Sequence, residues 1–338
     1  DDDDAVLTLF VALTSLNLAE EGAVSSELTS TYGMAEVGSR SLGLRRVADV
    51  YARLLDRAVA DAGPSGVAEA KVFRGMRLIG DGDLETASRL LAEASAACDT
   101  WGSPYIAEVV ESSAGYADCY ANDLETALDR YGRLGVSASS RGDPRMSAWG
   151  YNGEAMALLA MGRDAEAQGR LDAGNDLPAD GVSILFRSVC RGLIAARTEP
   201  DFAAAERAVR AASDSLLATP PSFFYLLCQY VFLDEAVAIM RERAQREAPL
   251  RARSLRVLHR RVLVSFGVFR MLFPVGRPSY HAALVRADEL RRPQVAGRLR
   301  RRLDERRLGR AVRRVGVEPM RCVSHSLIDP TQAVTETT

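Results

Sequence analysis

The pentapeptide Asp83-Leu84-Glu85-Thr86-Ala87 returns unchanged, 40 residues later, as Asp123-Leu124-Glu125-Thr126-Ala127. Its closing small residue recurs as Ala48, Ala87, Ala127, Ala167 and Ala205, at spacings of 39, 40, 40 and 38. A period in this range marks stacked helical units, because one helix pair cannot bury its apolar face alone and therefore forms rows. The constraint predicts an all-α chain of antiparallel helix pairs, a scaffold that binds rather than catalyses.

Turn signals divide the chain at that period. Residues 1–25 read as a partial helix of a preceding unit, and 26–217 as five pairs. The first pair is expected over Leu28–Val37 and Leu44–Ala60, and the second over Val67–Ile79 and Leu84–Ala97. The third starts near Pro104, whose missing N–H costs nothing in a first turn, and bends at Ala121-Asn122-Asp123. The fourth bends at Met161-Gly162-Arg163 and the fifth at Thr198-Glu199-Pro200-Asp201. Beyond Pro220-Pro221 the period fades into divergent Arg-rich helical repeats over 218–322, including a helix pair at about 279–290 and 293–314, and then a polar mobile tail, 323–338.

Packing explains the closing alanine. Twelve residues before it stand Gly75, Gly115 and Ala155, and four after it Leu91, Tyr131 and Leu171. Small residues facing each other would let two backbones approach, with the larger residue covering the seam to the next pair. The Gly and Ala positions resemble the tetratricopeptide repeat, which implies a right-handed superhelical solenoid. The units here are longer than usual, and Lys71 or Glu111 stands where that repeat favours Trp.

A net charge of -2 conceals a strong polarity: residues 241–321 hold 23 Arg against 7 acidic residues. Five scattered cysteines, with no Cys-x-x-Cys pair, read as reduced thiols in a cytoplasmic protein. The apolar stretch Ala5–Leu18 follows four aspartates, the wrong charge for a signal peptide, and the apolar runs at 223–233 and 262–275 are too short to span a bilayer. Starting inside a helical pattern without Met, the chain reads as a fragment of something longer.

Motifs for chemistry are weak. The single lysine, Lys71, lies between Ala70 and Val72, which does not fit a P-loop. Asp81-Gly82-Asp83-Leu84-Glu85 clusters carboxylates but lacks calcium-loop spacing, so Asp83 and Asp123 read as helix caps. His259, His281 and His325 lie far apart, and His259, among arginines, is expected on the surface. No cofactor is implied. The arginines between Arg251 and Arg261, and those from Arg298 to Arg314, could meet phosphate, but a solvated face or one paired with acidic repeats is the simpler reading.

The phrase Phe273-Pro274-Val275-Gly276-Arg277-Pro278, followed by Arg291-Arg292-Pro293-Gln294-Val295-Ala296-Gly297, resembles the C-terminal helical region of large bacterial AAA/STAND signalling ATPases. That resemblance implies a preceding nucleotide-binding domain, and upstream of it a class III adenylate/guanylate cyclase or a serine/threonine kinase domain. None of the family's catalytic residues falls on this chain, and the sequence departs from the pattern beyond Gly316. The expected partner is a protein or peptide segment, including the parent's own nucleotide-binding domain, rather than a membrane or nucleic acid. Its contacts are expected from polar and aromatic residues on first helices: Glu69, Arg74, Arg77, Glu108, Glu111, Tyr116, Trp149 and Asn152. The alternative is the sensor region of a DNA-linked transcriptional regulator that uses the basic C-terminal part.

Overall fold

The computed structural model describes residues 14, 16–18, 20–21, 25–101, 104–178, 180–221, 223–290 and 320, with no strand among them. After helical residues 14, 16–18 and 20–21, the first pair is α1 (Ser25–Ser41) and α2 (Arg45–Val59). The second is α3 (Gly63–Asp81) and α4 (Leu84–Trp101), and the third α5 (Pro104–Tyr120) and α6 (Leu124–Arg141). The fourth is α7 (Pro144–Ala160) and α8 (Asp164–Ala173), and the fifth α9 (Gly181–Thr198) and α10 (Phe202–Ala218). A further pair, α11 (Leu227–Glu247) and α12 (Ala252–Leu272), leads to α13 (Arg277–Glu289). Within each pair the helices pack side by side, and each first helix also touches the first helix of the next pair. The expected partial helix before 25 falls mostly outside the described residues, as do the expected helix at 293–314 and the tail at 323–338.

One connection, used repeatedly, sets this order. Gly43, Gly82, Asn122 and Gly162 each adopt a positive φ five residues before a slot alanine. The next residue donates its N–H back over the turn: Leu44 to Ser39, Asp83 to Leu78, Asp123 to Asp118 and Arg163 to Leu158, at 2.9–3.0 Å. These bonds satisfy orphan carbonyls of the helix that is ending. The residue that donates them also stands at the cap position of the helix that is starting, where Asp83 and Asp123 supply a side-chain cap and Leu44 and Arg163 do not. The Asp83 carboxylate accepts from the Thr86 amide at 3.2 Å and that of Asp123 from Thr126 at 3.4 Å. The repeated pentapeptide is therefore a helix start with its cap, and no ion site is needed to explain its acids.

The slot alanines occupy equivalent buried places, each at most 1% exposed. Their surroundings differ in detail from the expectation of small against small. A methyl group on Gly75 would come within 2.9 Å of Leu91 Cγ, and one on Gly115 within 2.7 Å of Tyr131 Cζ. The glycine thus seats the large residue of its own pair, and in the third pair that residue reaches further. The Tyr131 ring also fills the space a side chain at Gly153 would need on α7. One turn along, Gly150 of α7 crosses Gly135 of α6, where an added methyl would lie 2.6 Å from Cα.

The later segments fold back onto the early pairs. Phe273 and Phe224 lie against Gly80 of α3, and Leu272 against Gly43 of the α1–α2 turn. The 3-10 turn Pro274–Gly276 packs on α3 as well, with Val275 and Gly276 buried. The family-like phrase around Pro274 is thus an internal packing element.

Three tests follow from these turns and this packing. The Leu44 backbone (φ -81, ψ 60) nearly matches that of Asp123 (φ -88, ψ 71), yet Leu44 caps nothing. Leu44→Asp should therefore raise stability by about 0.5–1 kcal/mol and Asp123→Ala should lower it by about 1 kcal/mol, read by denaturant melts. Gly150→Ala meets backbone and should cost about 2–3 kcal/mol. Tyr131→Phe removes a buried hydroxyl that has no hydrogen-bond partner and should be neutral or stabilising by about 1 kcal/mol in the same melts.

Candidate functional site

First helices meet around a segment of the chain itself. Pro220 and Pro221 follow the end of α10, and Phe224–Leu226 then forms a 3-10 turn. The Tyr225 ring centroid lies 6.0 Å from Tyr116 of α5, 5.9 Å from Trp149 of α7 and 6.0 Å from Phe186 of α9. Edge-on and tilted rings at such separations attract beyond simple burial. The Tyr120 hydroxyl donates to the Phe224 carbonyl at 2.8 Å, tying the turn to α5 across 104 residues. Burial pushes the phenols of Tyr116 and Tyr120 well above their ordinary pKa, so both stay neutral donors. Where the sequence suggested a face open to a partner, the third, fourth and fifth pairs hold residues 224–226.

This arrangement corrects part of the expected contact surface. Tyr116, Glu108 and Asn152 are buried and do not face solvent. Glu108 accepts from Arg141 at 2.5 Å and from Ser137 at 2.9 Å, joining α5 to α6, while Arg141 also reaches Asp143 at 2.9 Å. Glu111 pairs with Arg133 at 3.0 Å and Arg130 at 3.5 Å. Arg77 binds the buried Glu36 of α1 at 3.0 Å, and Arg74 pairs with Asp56 of α2. Burial, the larger influence, raises the Glu36 carboxyl against the pull of Arg77. Trp149 donates its indole N–H to Asp180 at 3.3 Å. Glu69 is half-buried, its carboxyl raised by burial against a hydrogen bond from Ser30. Most of these polar groups are thus engaged in stitching helices together.

His259 departs furthest from expectation. Instead of lying on the surface it is 1% exposed, between Arg241 and Asp234 of α11. Its Nδ1 lies 2.6 Å from an Arg241 guanidinium nitrogen and its Nε2 2.7 Å from Asp234 Oδ1. A guanidinium can only donate, so Nδ1 accepts and the ring proton sits on Nε2, directed at Asp234. Arg286 of α13 holds the other Asp234 oxygen at 2.6 Å. The sequence did carry a signal: Leu255, His259, Val262 and Phe266 share one helical face, so the histidine stands in an apolar row. What it could not give was the distant Asp234 and Arg286.

A second ionic cluster lies one residue away on α11. Arg197, buried on α9, binds Asp164 at 2.6 Å and Glu235 at 2.6 Å. Beside it opens a cleft of about 880 Å³ lined by Arg197, Glu235, Glu242, Arg243, Arg246 and Glu289, among others. Acids and bases alternate along it, and Arg243 spends its donors on Glu247 and on the carbonyls of Glu199 and Pro200. No group of three or more metal-ligating side chains is arranged to hold an ion among the described residues. Four free cysteines (Cys98, Cys119, Cys190 and Cys228) are buried, and burial pushes the Cys190 thiol up to about 12.

Of the basic C-terminal residues, Arg251 reaches Glu206 of α10 at 2.5 Å. Arg298 to Arg314 lie outside the described residues. No helix among the described residues is long and apolar enough to cross a membrane. Comparison with protein-family models, with curated proteins and with solved structures found no match.

The His259 network yields a test. His259→Leu removes an acceptor from Arg241 and a donor from Asp234 and should cost about 3 kcal/mol. His259→Gln, which can offer both an acceptor and a donor, should recover much of that loss, and ring nitrogen shifts in the unmodified protein should report the Nε2–H tautomer.

Proposed function

We propose that this chain is a non-catalytic helical-repeat scaffold, the C-terminal regulatory part of a larger cytoplasmic signalling ATPase or cyclase-linked protein. In this reading the array is a right-handed, tetratricopeptide-like superhelix that makes protein–protein or intramolecular contacts with the nucleotide-binding domain. One observation carries the scaffold reading. Five alanines at a spacing near 40 sit at equivalent buried places, each behind a short turn between paired helices. Stacked pairs of this kind expose long helix surfaces in proportion to their core, and such surfaces suit extended contacts.

The mechanism is differential binding. A scaffold that holds one state of a neighbouring domain more tightly than another shifts its equilibrium by that difference and no more. Because the face around Tyr225 is already filled by residues 224–226, contact with another domain falls to the outer surfaces of the array. The test couples two measurements. The reading frame containing this chain should encode a P-loop domain upstream, and adding the chain to that domain should change ATP hydrolysis by about tenfold, a coupling of about 1.4 kcal/mol. A frame without such a domain, or hydrolysis indifferent to the chain, would overturn the ATPase-linked reading.

A further inference from the structure

We infer that the outward face of α12 docks an acidic amphipathic helix of a partner protein. The proposal rests on the scaffold reading and names the surface and the chemistry of its occupant.

α12 buries Leu255, Leu258, Val262, Leu263, Phe266 and Phe269 against its neighbours, as an amphipathic helix should. Its opposite side ought then to be wholly polar, yet apolar side chains stand among the arginines there. Leu250, just before the helix, is 98% exposed, followed by Val257 at 57%, Val264 at 62% and Met271 at 59%. These four stand at intervals of 7 residues. Seven residues of α-helix return the chain to within about 20° of the same bearing, so Val257, Val264 and Met271 form one row about 20 Å long, preceded by Leu250 in the 3-10 turn Pro249–Arg251. Val268, also exposed, widens it near its end. A two-helix seam takes side chains about every 3.5 residues; here the row supplies an apolar one at every seventh position and Arg253 and Arg260 stand between, so a partner helix would meet apolar and basic contacts in turn. Exposed valines scattered at random would need no explanation, but a row repeated in register does.

Charge identifies the occupant. Arg253, Arg256, Arg260 and Arg261 are exposed around the first half of the stripe, with no hydrogen bond or ion pair among the described residues. Most other arginines of the fold are matched to acids, including neighbouring Arg210 and Arg251, which both pair with Glu206. α12 itself carries no acidic residue from Ala252 to Leu272. A shallow groove of about 480 Å³ between α10 and α12, lined by Leu250, Arg253, Val257 and Arg261 among others, places these arginines on the rim of an apolar floor. A helix with an apolar seam and flanking Glu or Asp satisfies both features together. A nucleic acid would use the arginines and leave the stripe in water. A second copy of the same face would bring apolar residues but no counter-charge. A bilayer surface favours Trp, Phe and Leu in its apolar face, where this stripe is mainly valine.

The test uses the full chain and a designed helical peptide of about four heptads, with Ile and Leu in its seam and Glu flanking it, read by fluorescence anisotropy. Its counterpart carries Lys in place of Glu. The Glu peptide should bind and weaken with salt, while the Lys peptide should bind at least about tenfold more weakly. Val264→Glu should weaken the Glu peptide by at least about tenfold, and Arg260→Glu with Arg261→Glu should shift preference toward the Lys peptide. These residues are exposed, so far-UV circular dichroism and melting should stay unchanged in every variant. The proposal is overturned if neither peptide binds, if both bind equally, or if Val264→Glu changes nothing. It is also overturned if anionic vesicles or duplex DNA bind the same face more tightly, or if sedimentation shows the stripe joining two copies of the chain. Hydrolysis by the neighbouring domain is measured separately, so this surface can fail while the scaffold reading stands.

Discussion

Tyr131 stands where three helices converge, and the close approach of those helices depends on what its ring displaces. Gly115 on α5 and Gly153 on α7 leave room for it from two sides, so one aromatic side chain is shared between successive pairs. The absence of a Cβ at Gly135 and Gly150 then lets the α6 and α7 backbones nearly touch. Packing at this density transmits strain, because a single methyl has nowhere to go. The ring also meets Tyr116 edge-on at 5.9 Å. Through Tyr116 the seam between the third and fourth pairs continues into the aromatic group around Tyr225. Seam and aromatic group are therefore one packed body.

Polar side chains serve the same architecture by a different route. Glu36, Glu108, Arg197 and Asp234 are buried, and each is matched by a partner on another helix. Such pairs contribute little net stability once desolvation is counted, but breaking one leaves an uncompensated charge. Their effect is to make one register between helices much better than its neighbours. Alanine-rich helix faces, which could slide, gain a unique alignment from them. The aromatic segment at 224–226 acts similarly on the first helices of three pairs, since its rings fit only one arrangement of Tyr116, Trp149 and Phe186.

Local features were readable in the sequence and distant ones were not. The period, the turns at Gly82-Asp83 and Asn122-Asp123, and the start at Pro104 each depend on a few adjacent residues, and each is where the sequence places it. Helical periodicity gives a face but no rotation between two helices, so it did not show that Leu91 would be the side chain nearest Gly75. His259 was misplaced for a related reason. Its basic neighbours along the chain are on the opposite side of α12, and the residues that hydrogen-bond its ring are on α11. In the apolar run that begins at 223, nothing nearby revealed that Tyr120, more than a hundred residues earlier, would bind the Phe224 carbonyl. The contact residues expected on the first helices share a polar or aromatic character, and that does not separate a side chain waiting for a partner from one already holding a neighbouring helix.

The fold-back of residues 272–276 onto Gly43 and Gly80 also bears on how such a chain can evolve. An open row of repeats can gain or lose a unit at little penalty, because each unit senses only its neighbours. Here the second pair is held by residues about two hundred positions later, and inserting or deleting one pair would carry Phe273 past its seat on Gly80. A pair duplicated between α3 and Phe273 would therefore have to be accommodated without this contact, so the spacing of the two segments is set by geometry.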